Sequence, residues 1–117
     1  MSKLTTHVLD THSGRPASGL RIDLHAESDA GPELVISQVT NADGRCAAPM
    51  LEGERMRKGR YRLTFYVADY FRALNVVLSD PPFIDRAVVH FGIGHPDQNY
   101  HVPLLVTPWS YSVYRGS

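Results

Sequence analysis

Two segments of this chain carry apolar side chains on both of their faces. In the first, Leu4, Thr6 and Val8 alternate with Thr5, His7 and Leu9. In the second, from Tyr100 to Val106, Val102, Leu104 and Val106 alternate with His101, Pro103 and Leu105. Side chains of a strand point alternately to its two faces, so each segment reads as a strand that must be covered twice. An uncovered apolar sheet face marks an interaction surface. The chain offers little helix to supply a second cover. The pattern therefore predicts a homo-oligomer that packs sheet against sheet. The alternative is that the loop from Ala68 to Ile84 covers that face.

The rest of the chain repeats the strand rhythm. Turn signals recur at Ser13-Gly14-Arg15-Pro16, Ala30-Gly31-Pro32, Asn41-Ala42-Asp43-Gly44, Glu52-Gly53, Asp80-Pro81-Pro82 and Gly94-His95-Pro96-Asp97. Between them, Ile22, Leu24 and Ala26 alternate with Arg21, Asp23 and His25. Tyr61, Leu63, Phe65 and Val67 alternate with Arg62, Thr64 and Tyr66, and Ala87, Val89, Phe91 and Ile93 with Arg86, Val88, His90 and Gly92. This is the pattern of an all-β sandwich or barrel with the first set of each pair inward. One short helix is expected near Asp69–Leu74, with Asp69 as its N-cap. A length of 117 residues suits one domain over residues 1–117.

Charge and cysteine content narrow the function. Twelve Lys and Arg balance twelve Asp and Glu, which argues against a nucleic-acid or anionic-membrane surface as the main partner. A single cysteine, Cys46, excludes an intramolecular disulfide framework and a zinc site built on several thiolates. No apolar run approaches the ~20 residues of a membrane span. The amino terminus, Met1 to His7, has no apolar signal region, which predicts a cytoplasmic protein.

Six histidines invite a metal reading: His7, His12, His25, His90, His95 and His101. Their spacing matches no HExxH helix and no paired Cys/His motif, so no metal is expected. His12, His25, His90 and His95 read as loop or exposed-strand residues. His7 and His101 differ, because both fall on the outward, partly apolar faces. Imidazole titrates near neutrality and can take a proton from water and return it. Arg45 follows a turn and offers a planar fork of donors suited to a flat molecule with carbonyls. Gly92-Ile93-Gly94 lacks the rest of a dinucleotide fingerprint, and Cys46 reads as an inert buried thiol.

At these residues the sequence resembles a known family. Leu4-Thr5-Thr6-His7-Val8-Leu9-Asp10-Thr11, Gly14-Arg15-Pro16-Ala17 and Thr40-Asn41-Ala42-Asp43-Gly44-Arg45-Cys46 look like the amino-terminal motifs of the 5-hydroxyisourate hydrolases, the transthyretin-related protein family. Tyr100-His101-Val102-Pro103-Leu104-Leu105 and Tyr114-Arg115-Gly116-Ser117 resemble its carboxy-terminal motifs. His12 and the segment Phe83-Ile84-Asp85-Arg86 depart from it, but touch none of these motifs. The resemblance implies a transthyretin-like sandwich of two antiparallel four-stranded sheets with one short helix. It implies a homotetramer, a dimer of dimers with its sites between facing dimers.

The resemblance also implies hydrolysis of 5-hydroxyisourate to 2-oxo-4-hydroxy-4-carboxy-5-ureidoimidazoline, with no cofactor. The family's functional positions fall on His7, Arg45, His101, Tyr114, Arg115, Gly116 and Ser117. On that basis His7 and His101 activate water and return its proton, in an order the sequence leaves open. Arg45 orients the ring and stabilises carbonyl charge. Ser117, by its hydroxyl or a terminal carboxylate, holds water or a substrate edge. Tyr114 and Arg115 anchor the tail and line the pocket, beside Gly116. The competing class is a non-catalytic transthyretin-like carrier of a small planar ligand, since fold alone does not fix function. Transthyretin itself is expected to lack the histidine and arginine set and the Tyr-Arg-Gly-Ser end.

Overall fold

The computed structural model describes residues 1–116. It holds nine strands and one α-helix: β1 (Lys3–Asp10), β2 (Arg15–Pro16), β3 (Arg21–Ala26), β4 (Glu33–Val39), β5 (Leu51–Glu52), β6 (Gly59–Phe65), α1 (Val67–Ala73), β7 (Ala87–Ile93), β8 (Tyr100–Val106) and β9 (Tyr111–Val113). They form two sheets, ordered β2-β1-β8-β9, with β5 also paired to β1, and β4-β3-β6-β7.

The second sheet is antiparallel throughout. The first has a parallel pair at its centre, which the expectation of wholly antiparallel sheets did not contain. There β1 and β8 run side by side, with Thr5 opposite His101 and His7 opposite Pro103. Parallel neighbours need a long connection, and here nearly the whole chain separates them. The pairing brings the amino- and carboxy-terminal motifs into one surface.

The alternation read from the sequence sets the layers. Leu4, Val8, Val102 and Leu104 face Ile22, Leu24, Leu63 and Phe65 across a single core, all of them buried. Inward-facing Thr6 keeps its polarity satisfied by donating from Oγ1 to the Val102 carbonyl at 2.7 Å, which ties β1 to β8 from below. Thr5, His7, Leu9, His101 and Leu105 lie on the opposite face and are half-buried.

Helix α1 starts at Val67, two residues before the expected position, and Tyr66 occupies its N-cap without a side-chain cap bond. Asp69 lies in the first turn instead. Burial of Val67, Ala68, Tyr70 and Phe71 decides where so short a helix forms, and packing outweighs the capping signal. The helix is fastened to the end of β1. The buried Asp10 carboxylate accepts from the Tyr70 hydroxyl at 2.8 Å and from the backbone N–H groups of His12 and Ser13, each at 2.9 Å. Burial, and then the bond to Asp10, push the Tyr70 phenol well above its ordinary range. Beyond the helix, Val76, Leu78 and Ile84 pack against the core, while Val77 and Phe83 are exposed.

Asp23 was expected to face outward into solvent but is buried. It accepts from Arg21, Ser37 and Tyr66, and the ring of Tyr66 lies between the guanidinium groups of Arg21 and Arg86. Burial pushes the Asp23 carboxyl up. The bonds from Ser37, Arg21 and Tyr66, with the charge of Arg21, outweigh it and hold the group below its usual value. No helix among the described residues is long and apolar enough to cross a membrane.

Candidate active site

The site is built where the turn after β4 lies against β1. The Asn41 side chain accepts from the backbone N–H of Asp43 and Arg45, at 3.0 and 3.2 Å, and folds the turn on itself. Gly44 adopts a φ of +74°, and a Cβ there would collide with the Val8 carbonyl, so this turn requires glycine. That close approach lets Val8 donate its N–H to the Gly44 carbonyl at 2.8 Å. Arg45 is thereby placed opposite His7 in an isolated antiparallel bridge. The Asp43 carbonyl meets His7 Nε2 at 2.8 Å.

His101 enters from β8, one row along. Its Nδ1 is 2.8 Å from Thr5 Oγ1 on the neighbouring strand, as their direct register requires. Its carbonyl accepts from the Gly116 N–H at 2.7 Å, forming a bridge that pins the tail. A Cβ on Gly116 would stand 2.8 Å from His101 Cδ2, so the tail and the ring are in close contact. Burial lowers the His101 pKa below its ordinary 6.5, and the positive charges of Arg45 and His7 lower it further. A hydrogen bond from the ring to the Thr5 backbone opposes them without prevailing. The neutral form of this imidazole is thereby favoured.

His7, Arg45 and His101 thus gather on one outward surface, beside an open depression of about 580 Å³ lined by Met1, Lys3, Thr5, Arg45, Asn99 and His101. His7 lies one outward step further along β1. No carboxylate among the described residues pairs with the exposed Arg45 guanidinium. None of these residues joins a group of three His, Cys, Asp or Glu side chains placed to hold a metal ion.

Two of the remaining candidates lie elsewhere. Tyr114 and Arg115 line a separate cavity of about 370 Å³ with Phe91 and Val113, between the edge strands β7 and β9. Arg115 stacks 4.0 Å over the Tyr100 ring and donates to the Asn99 carbonyl, which fastens the tail. Gly116 adjoins His101, and Ser117 lies outside the described residues. Sequence reasoning missed Thr5, Lys3 and Asn99. The period of two that marked His7 also places Lys3 and Thr5 on its face, so two of the three were within reach of the same argument.

Cys46 follows Arg45, half-buried, and burial pushes its thiol up, as expected of an inert cysteine.

Known proteins resemble the chain over its whole length. A model of the HIUase/Transthyretin family matches residues 4–116. A 5-hydroxyisourate hydrolase of Pseudomonas aeruginosa is 50% identical over 117 residues, which is 100% of this chain and 93% of that protein. A crystal structure of (S)-allantoin synthase matches with a TM-score of 0.94 at 47% identity, over 99% of this chain but only 44% of that one. Sea bream transthyretin in complex with thyroxine matches with a TM-score of 0.86 at 25% identity, over 97% of this chain and 94% of that one. Sequence, strand order and the grouping of His7, Arg45 and His101 point the same way, and the chain belongs to the HIUase/Transthyretin family.

Proposed function

We propose that this protein is a hydrolase that opens the ring of 5-hydroxyisourate, giving 2-oxo-4-hydroxy-4-carboxy-5-ureidoimidazoline by cleaving a cyclic amide bond. The observation that carries this reading is the half-identical, full-length 5-hydroxyisourate hydrolase of Pseudomonas aeruginosa. The convergence of two imidazoles and a guanidinium on one surface supports it.

Ring opening needs three things. Water must lose a proton, charge on the carbonyl oxygen must be stabilised, and a flat ring must be held. His7 and His101 supply nitrogen bases and donors, and Arg45 supplies a fixed cation with a planar fork. Gly116 keeps the tail against His101, and Arg115 and Tyr114 anchor it. The half-buried Leu9 and Leu105 on the same sheet face support a homotetramer in which facing dimers close the site over substrate. The free Cys46 suits a reducing, cytoplasmic setting.

The test is spectroscopic. Freshly generated 5-hydroxyisourate should lose its ultraviolet absorbance over many turnovers with catalytic amounts of protein. A change limited to one equivalent per subunit would instead identify a carrier of planar ligands and overturn the hydrolase reading.

One variant tests the packing of the tail. Gly116→Ala should displace the His101 ring and lower turnover by roughly 10- to 100-fold, the scale of an ångström misplacement. Steady-state kinetics with a crystal structure of the variant check this. Full turnover with the ring displaced would remove His101 from the reaction.

A further inference from the structure

Asn99 joins three parts of the molecule at the edge of the candidate site. It directly precedes β8 and lines the depression with Lys3, Arg45 and His101. Its side-chain Oδ1 accepts from the backbone N–H of Lys3 at 3.0 Å. A backbone N–H can only donate, so this contact fixes which end of the amide is oxygen. The main-chain carbonyl of Asn99 accepts from the Arg115 guanidinium at 3.0 Å. Arg115 also donates to Gln98 Oε1 at 3.2 Å and stacks over the Tyr100 ring. Nearby, Ser2 Oγ donates to the Pro96 carbonyl at 2.6 Å. Asn99 is therefore held by the start of β1 on one side and by the tail on the other.

With Oδ1 bound to Lys3, the Nδ2 group of Asn99 carries two N–H donors that meet no acceptor among the described residues. They are free to bond a molecule that enters the depression. From this we infer that Asn99 is a substrate-binding residue whose amide donates to a ring carbonyl remote from the bond that breaks. The inference rests on the hydrolase reading and adds a residue to its site.

The spacing suits one flat ligand. Asn99 and His101 are two residues apart, so their Cα atoms are separated by at most about 7 Å. A fused two-ring molecule spans that gap, with its reacting carbonyl toward Arg45 and His101 and its far edge on Asn99. A donor already held in place loses little freedom on binding. A bond to the far edge is the same in substrate and transition state, so it acts on KM and not on kcat.

Two variants test this, with uric acid, a flat two-ring molecule bearing three carbonyls, as the binding probe. Calorimetric titrations at 0.15 M and 1 M salt compare them with wild type, alongside KM and kcat for 5-hydroxyisourate. Asn99→Ala should weaken uric acid binding and raise KM by about 3- to 10-fold, the worth of one hydrogen bond, with kcat within about 2-fold. Asn99→Asp keeps an oxygen for the Lys3 N–H but puts an acceptor where the donor stood. It should weaken binding by about 10-fold or more. That loss should persist at 1 M salt, where the reach of the added charge shrinks to ~3 Å. A residue that only ties β1 to the loop before β8 would give the reverse order, with Asn99→Asp close to wild type. That order at 1 M salt, or an Asn99→Ala protein with unchanged affinity and KM, would overturn the assignment. If the wild-type protein binds uric acid but hydrolyses nothing, the hydrolase reading fails while the affinities still report on Asn99. A protein that does neither would overturn both.

Discussion

His7→Gln is expected to lower kcat for 5-hydroxyisourate by about 10²–10⁴-fold, the contribution of a positioned base. The Gln amide can still donate to the Asp43 carbonyl that His7 Nε2 meets at 2.8 Å, but it offers no nitrogen able to hold a proton. His7 is half-buried on the outward face of β1 and contributes no side chain to the core. The unfolding midpoint should therefore stay close to wild type, since surface changes are usually within about 0.5 kcal/mol. Progress curves and thermal melts on the same preparation check both halves. Turnover within a few-fold of wild type would remove His7 as the base.

Asp10→Ala is expected to be the most destabilising change near the site. The Asp10 carboxylate is buried and receives three hydrogen bonds, from the Tyr70 hydroxyl and from the N–H groups of His12 and Ser13. Removing it leaves three donors without their acceptor; the buried Tyr70 hydroxyl costs about 1–3 kcal/mol as an orphan, whereas the His12 and Ser13 N–H groups lie at an exposed turn that water can reach. A total loss of about 2–3 kcal/mol is expected, a large share of the roughly 5–15 kcal/mol that a domain holds. Asp10 ends the strand that carries His7 and fixes α1 against it, so activity should fall with stability. Tyr70→Phe removes one of the three bonds and should cost about 1 kcal/mol. Urea unfolding of both variants checks the ordering. A loss below 1 kcal/mol for Asp10→Ala would mean that the helix is held by apolar packing alone.

Much of this architecture is written in local pattern. The alternation of Leu4, Thr6 and Val8 against Thr5, His7 and Leu9 gives the strand, its inward face and the outward place of His7. The same period locates His101. What alternation does not contain is which strand lies beside which, because pairing is set by contacts far apart in the chain. The parallel union of β1 and β8 is such a contact, and it turns two separate histidines into neighbours. Asp23 shows the reverse error. Its position in the period points outward, yet Arg21, Ser37 and Tyr66 enclose it, a local assembly that only the folded sheet creates.

The candidate site was legible in its charged and titratable members and less so in their supports. A histidine or arginine advertises chemistry by type, whereas Thr5 and the Asp43 carbonyl matter only through the atoms that they meet. The turn Asn41-Ala42-Asp43-Gly44 was visible as a turn. Its role in setting Arg45 opposite His7 depends on Gly44 lying flush against the Val8 carbonyl. The resemblance carried the tail residues, and the structure separates their surroundings. Gly116 touches His101, while Tyr114 and Arg115 line the cavity between β7 and β9.

The central claim is that substrate is held on the outward face of β1 and β8. A crystal structure of the protein with a stable purine-dione analogue of the substrate tests it most directly. The account predicts a flat ligand within hydrogen-bond reach of the His7 and His101 imidazoles and the Arg45 guanidinium. A ligand seated instead in the cavity beside Phe91 and Tyr114, with those three groups untouched, would contradict it.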